Sequence, residues 1–382
     1  MRMGSKLGLT LIGLVALVAA ACGSSSTPAP SAGPTGAAVT TVNLQLQWEP
    51  QAQFAGYFAA DRQGYYLAQG LNVNLIAGGP TVDNQSVGSD PNGPEFTIAW
   101  VPKVLVLRDK GQSDLVDIAQ IFQRSGTREV SWAPGKGPAP ATTQSITSPA
   151  DFKGKKIGVW DFGNDYEVIA AGRKVSLEAN TDYQRVIQPF DMSLLLNRQI
   201  DAAEGMVYNE YAQLLEATDP TTGQLYQPSD LNVMDFNQVG TAMLQDAVWA
   251  RSAWLAKPGN ADIATRFLRA SFQGWIFCRD NPAKCVQYTT DAGSTLGAGH
   301  QAWMMNEINP LIWPSPNGIG DVPVATWTQT VQIATDAKLL TKAPDASAYR
   351  TDLATQARSG ITGDLNGANF QKGTVQVTKG GN

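Results

Sequence analysis

The sequence predicts an α/β fold, and one stretch carries the three features that predict it. Val42, Leu44, Leu46 and Trp48 alternate with polar residues, the period of a half-buried strand. Phe54, Tyr57, Phe58, Asp61, Arg62 and Tyr65 then follow at helical spacing, with Gly70 where a helix end favours a left-handed residue. Val73, Leu75 and Ala77 alternate again until Gly78, Gly79 and Pro80 stop the run. Strand, helix and strand in this order form a βαβ unit with a right-handed crossover. Such units receive ligand beyond the carboxyl ends of their strands. Trp48 and Gln51 to Gln53 stand there.

LQW followed by QFAGYFAADRQGYYLAQGLNV resembles the first segment of bacterial solute-binding proteins of the thiamine-pyrimidine-precursor branch. That branch shares a superfamily with the taurine and nitrate binders. The resemblance implies a two-lobed, type II periplasmic-binding-protein-like fold with two hinge crossings, roughly Gln120–Gln123 and Gln245–Trp249. Lobe 1 is expected from residues 41–122 and 246–382, including the C-terminal helices, and lobe 2 from 123–245.

The chain begins with signals of export. Arg2 and Lys6 precede a short apolar run, Leu7 to Val18, and Ala19, Ala20 and Ala21 lead to Cys22. The run is too short to span a bilayer and has signal-peptide flanks. Small residues before a Cys are similar to a bacterial lipobox, so residues 1–22 read as a lipoprotein signal and Cys22 as the lipidated new N-terminus. Ala19, where Leu is commoner, is a departure. Residues 23–40, rich in Ser, Pro and Gly, cannot offset their ordering entropy by burial and read as a tether. The formal charge of −5 has no basic block, which argues against nucleic acid.

The remaining elements follow in order. Ser86 to Glu95 reads as a loop, Phe96 to Trp100 as a buried strand, and Pro102 as the start of a helix ending at Asp109. Leu115 to Phe122 is a strand, and by the resemblance half of the hinge. Ser125, Gly126 and Thr127 follow; exposed amides and hydroxyls after a strand suit an anion, and a plain tight turn suits them equally. Ala133 to Ser145 is a loop. SPADF carries an N-cap Ser148, Pro149 at the first helical position and Asp151 at the positive dipole end. Lys156 to Trp160 is a strand, and the next helix runs from Val168 to Glu178. Phe162, Gly163 and Tyr166 between them are candidate pocket walls or ordinary packing, and Asp165 a candidate N-cap. Asp191 to Gln199 reads as a helix and DAAEGMV as a buried strand.

Tyr208, Asn209 and Glu210 follow that strand. They resemble the pyrimidine-precursor branch, whose Glu accepts hydrogen bonds from an aminopyrimidine. A carboxylate buried at a strand end is costly unless paired; one that starts a helix and faces water is the alternative. Glu204 is a weaker candidate. Asp235–Gly240 and Asp246–Ala253 read as strands, and Ile263–Phe277 as a long amphipathic helix. Cys278 and Cys285 read as a disulfide in an exported chain. Helices are expected at Gln301–Asn306 and Ala325–Leu340 in the tail.

The sequence holds no P-loop, HExxH, GxSxG or dinucleotide fingerprint. One histidine, His300, leaves little for a general base or a metal site. No catalysis, cofactor or metal is therefore expected. The expected function is a monomeric, lipid-anchored, extracytoplasmic solute-binding component of an ABC importer, with the membrane permease as partner. Trp48, Trp100 and Tyr57 would stack on an aromatic heterocycle that Asn209 and Glu210 read. A pyrimidine and riboflavin both suit this chemistry. A small anion such as a sulfonate, nitrate or bicarbonate on Ser125–Thr127 is the second reading, and an enzyme of pyrimidine synthesis a remote third.

Overall fold

A computed structural model describes residues 39–140 and 143–382. The signal segment, Cys22 and nearly all of the tether lie outside the described residues. Among the described residues ten strands form two sheets: β1 (Thr40–Gln45), β2 (Leu71–Ile76), β3 (Phe96–Trp100), β4 (Leu115–Gln120), β5 (Thr127–Trp132), β6 (Lys156–Val159), β7 (Gln184–Ile187), β8 (Ala202–Met206), β9 (Leu231–Asp235) and β10 (Asp246–Arg251). Their orders are β2-β1-β3-β10-β4 and β7-β6-β8-β5-β9.

The two sheets repeat one plan. β1 lies parallel to β2 and β3, and β6 parallel to β7 and β8. In each sheet a single strand runs against its neighbours: β10 between β3 and β4, and β5 between β8 and β9. These are the strands that arrive directly from the opposite sheet. The two passages are stitched side by side. Ile121 and Phe122 amides donate to the Asp246 carbonyl at 3.1 and 3.0 Å, and Gly126 N donates to Gln245 Oε1 at 2.8 Å. β10 already starts at Asp246, so the return passage lies over residues 240–245 rather than Gln245–Trp249.

The first core lies between the first sheet and the helix Asn260–Asp280, which crosses the helix Ala55–Arg62 closely. Glycines permit that crossing: a Cβ on Gly274 would meet the Gly56 carbonyl at 2.0 Å, and one on Gly56 would meet the Trp275 ring at 2.2 Å. The tail helices straddle both sheets. Ala298–Ile312 packs on the turn Ala52–Phe54 and on the second-lobe helix Glu210–Glu216. Val324–Asp336 packs on Val101–Asp109 and on the second-lobe helix Tyr166–Lys174. Cys278 and Cys285 are joined. No described helix is long and apolar enough to cross a membrane.

Several local expectations are corrected. Ser86–Glu95 is not all loop: Asn84–Ser89 is helical, with the Asp83 carboxylate capping Ser86 N at 3.2 Å. Asp235–Gly240 is not a strand: β9 ends at Asp235, whose side chain caps a helical turn, Phe236–Val239. Asp191–Gln199 holds one turn only, Ser193–Leu196. The turn at Arg124–Thr127 leads straight into β5, unforeseen because buried Thr127, Glu129 and Ser131 break its apolar pattern.

Candidate ligand-binding site

The carboxyl ends of β1, β3, β6 and β8 converge on a cleft between the sheets, with an empty volume of about 310 Å³ including its mouth. Gln47, Trp48, Gln51, Gln53 and Trp100 line it from the first lobe. Trp160, Asn164, Met206, Tyr208, Asn209 and Glu210 line it from the second. Strand ends place these groups because the sheet hydrogen bonds stop there and the chain turns outward.

On the first-lobe side, Asp246 is the polar anchor. Its Oδ1 accepts from Trp100 Nε1 at 2.8 Å and its Oδ2 from Gln53 Nε2 at 3.0 Å. Burial pushes the Asp246 carboxyl up to about 7, against the pull of Gln53, Trp100 and Lys103. Gln47 Oε1 accepts from Trp100 N at 3.1 Å and ties the end of β1 to that of β3. Trp48 reaches across the cleft to Phe190, with ring centroids 5.1 Å apart.

On the second-lobe side, Glu210 turns back over its own strand. Its Oε2 accepts from Met206 N and its Oε1 from Asn209 Nδ2, both at 2.9 Å. The turn needs Gly205, where a Cβ would sit 3.1 Å from Glu210 Cβ. Burial pushes the Glu210 carboxyl up to about 7. Asn209 Nδ2 also points to Gln51 Oε1, at 3.4 Å across the cleft. Lys103 bridges the lobes with Nζ donating to Asn84 Oδ1 at 3.1 Å and Asn164 Oδ1 at 3.2 Å; burial lowers it to about 8.

The structure thus brings Trp48, Trp100, Tyr208, Asn209 and Glu210 to one cavity, and places the other candidates elsewhere. Tyr57 lies in the first core, edge-on to Trp275. Ser125, Gly126 and Thr127 belong to the hinge, where their polar groups are already engaged. Gln245 Nε2 donates to Thr127 Oγ1 at 2.6 Å and to Ser125 Oγ at 3.1 Å, and its Oε1 takes the Gly126 amide. Ser125 Oγ donates to Glu167 Oε2 at 2.9 Å, and Thr127 N donates back to Ser125 Oγ. Glu167 Oε1 also accepts from Met243 N, so one carboxylate holds both passages; burial pushes it up to about 8.

Phe162 is exposed in a left-handed conformation, with its carbonyl accepting from Gln85 Nε2. Gly163 is also left-handed and lies against the Tyr166 ring, which packs on the core behind the hinge. Neither they nor Tyr166 line the cavity; Asn164, next to Gly163, does. Glu204 lies behind the wall, where its Oε2 accepts from Trp160 N at 3.0 Å. Trp160, Met206 and Asp246 escaped the sequence reading because each also reads as an ordinary strand residue. The strand-end rule that singled out Trp100 would have found Trp160. Among the described residues no cluster of His, Cys, Asp and Glu is placed to hold a metal.

Riboflavin-binding protein RibY of Chloroflexus aurantiacus is 25% identical, over 88% of this chain and 94% of its own. The formylaminopyrimidine-binding protein of Halalkalibacterium halodurans is 22% identical, over 65% of this chain and 69% of its own. The aliphatic sulphonate binding protein SsuA from Escherichia coli has a TM-score of 0.56 at 14% identity, covering 83% of this chain and 91% of that one. The Candida albicans CA3427 product, of the generic periplasmic binding protein fold, scores 0.56 at 13% identity, covering 88% and 97%. These likenesses establish the two-lobed periplasmic-binding-protein fold. Residues 51–285, more than half of the sequence, match the family described as NMT1/THI5 like, and the chain belongs to that family.

Proposed function

We propose that this protein is the extracytoplasmic solute-binding component of an ABC importer. It closes two lobes, residues 41–122 with 246–382 and residues 123–245, on a small aromatic heterocycle. The observation that carries the reading is the composition of the cleft: three indoles, Trp48, Trp100 and Trp160, around the buried Asn209–Glu210 pair. Flat aromatic faces favour a flat ligand by about 0.5–1.5 kcal/mol per stacked pair beyond burial. A carboxylate beside a carboxamide N–H reads a ring that carries both a donor and an acceptor. The name of the Halalkalibacterium relative supports a pyrimidine, and that of the Chloroflexus relative supports a flavin.

The anion reading loses its support at Ser125–Thr127, where Gly126 N donates to Gln245, Ser125 Oγ to Glu167, Thr127 N to Ser125 Oγ and Thr127 Oγ1 to Met206 Sδ. Binding alone drives closure, because the ligand contacts both lobes only when they meet. No bond in the ligand needs to change. Cys22, lipidated, would hold the protein at the membrane beside its permease, as a monomer.

The test is a thermal-shift and tryptophan-fluorescence panel of pyrimidines, riboflavin and sulfonates. A ligand at a hundred times its Kd stabilises the protein by about 2.7 kcal/mol. A pyrimidine or flavin should give the shift and quench fluorescence. A shift from sulfonates alone overturns the heterocycle reading.

A further inference from the structure

The chain's single histidine lies outside the cavity and touches its recognition pair. His300 sits on the helix Ala298–Ile312, which first-lobe contacts anchor: the Ala52 amide donates to the neighbouring Gln301 Oε1 at 2.7 Å. Its ring crosses to the second lobe. Nδ1 lies 2.9 Å from both Glu216 oxygens, and Nε2 lies 2.8 Å from Asn209 Oδ1. Each ring nitrogen thus faces an acceptor oxygen. The ring is 1% exposed. The last residues of the chain cover it: a Cβ on Gly381 would lie 2.7 Å from His300 Cβ and 3.0 Å from Glu216 Oε2.

This arrangement decides which way round the Asn209 carboxamide stands. Oδ1 is taken by His300 and by Gln213 Nε2 at 3.2 Å. Nδ2 therefore turns to Glu210 and the cleft. A flipped amide would put N–H against the Gln213 Nε2 donor and oxygen against Glu210 Oε1, leaving buried groups unpaired.

We propose that His300, held by Glu216, is a positioning residue that sets the hydrogen-bond polarity of the ligand site. It makes Asn209 present a donor beside the Glu210 acceptor. The site then selects rings with an acceptor nitrogen next to an amino donor over the oxo counterpart, whose ring N–H and carbonyl reverse that order. Because His300 and Asn209 belong to different lobes, this polarity is set where the lobes meet. The proposal rests on the heterocycle reading above, and its test separates the two.

The experiment measures the affinities of aminopyrimidine and pyrimidinone, the same ring with amino and oxo substituents, for the wild type and for His300→Leu. The wild type should prefer the amino compound, and His300→Leu should reduce that preference by roughly tenfold or more, the cost of leaving one buried polar group without its partner. Equal weakening of both compounds would reduce His300 to a structural role and overturn the proposal. If the wild type binds neither compound, the heterocycle reading fails instead. His300 is then judged by NMR of the wild type, as it also is if the variant does not fold. The single imidazole should show two ring N–H protons protected from exchange; one ring N–H alone overturns the proposal.

Discussion

Replacing Glu210 with Gln should make the free protein less stable in mild acid and more stable in mild alkali, so that its pH–stability curve crosses that of the wild type. Burial raises the Glu210 carboxyl from an ordinary 4.5 to about 7. The folded state therefore keeps the proton longer than the unfolded state. The stability this contributes is complete below the unfolded value and is lost as pH rises through the folded one. Between about pH 5 and about pH 8 the loss amounts to about 2–3 kcal/mol, at 1.36 kcal/mol per unit. Glutamine has no such dependence. Its oxygen can keep the Met206 amide, but its NH₂ then faces Asn209 Nδ2, a donor, so about 1 kcal/mol is lost at every pH. The variant should be about 1 kcal/mol weaker near pH 5 and about 1–2 kcal/mol stronger near pH 8. Urea unfolding at the two pH values measures this directly. Asp246, also raised to about 7, adds the same slope to both proteins and cancels. Curves that stay parallel would show that Glu210 ionises freely, and the picture of a buried, ligand-facing carboxyl would fail with them.

Asp246→Asn removes one acceptor from between Trp100 and Gln53, and should weaken heterocycle binding by roughly tenfold or more while the fold persists; calorimetry of the variant checks it. Gln245→Ala leaves Gly126 N and Thr127 Oγ1 without their hinge partner and should cost about 1–3 kcal/mol in urea unfolding. The Cys278→Ser, Cys285→Ser double variant opens a short loop and should lose about 2–3 kcal/mol without losing binding. Cys22→Ala should move the protein from the membrane to the soluble fraction of the cell, and an unchanged membrane fraction would rule out the lipid anchor.

Sequence alone determined the alternation that makes β1, the helical spacing after it and the mostly apolar run of β3. It also determined which residues stand at strand ends. These are local properties, set by periods of two and 3.6 residues and by where Gly and Pro interrupt them. For that reason Trp48 and Trp100 could be placed at strand ends, whereas the Tyr208–Glu210 run was singled out by its resemblance to the pyrimidine-precursor branch. Tertiary structure decided which strand ends face one another, and that removed Tyr57 into a core and Ser125–Thr127 into the hinge. It also turned Asp246, an unremarked strand residue, into the anchor of Trp100, and set His300 against Asn209 across 91 positions of sequence. No local pattern encodes such pairings. A polar side chain reads the same in sequence whether it meets water, a hinge or a ligand, and only the packing around it settles which.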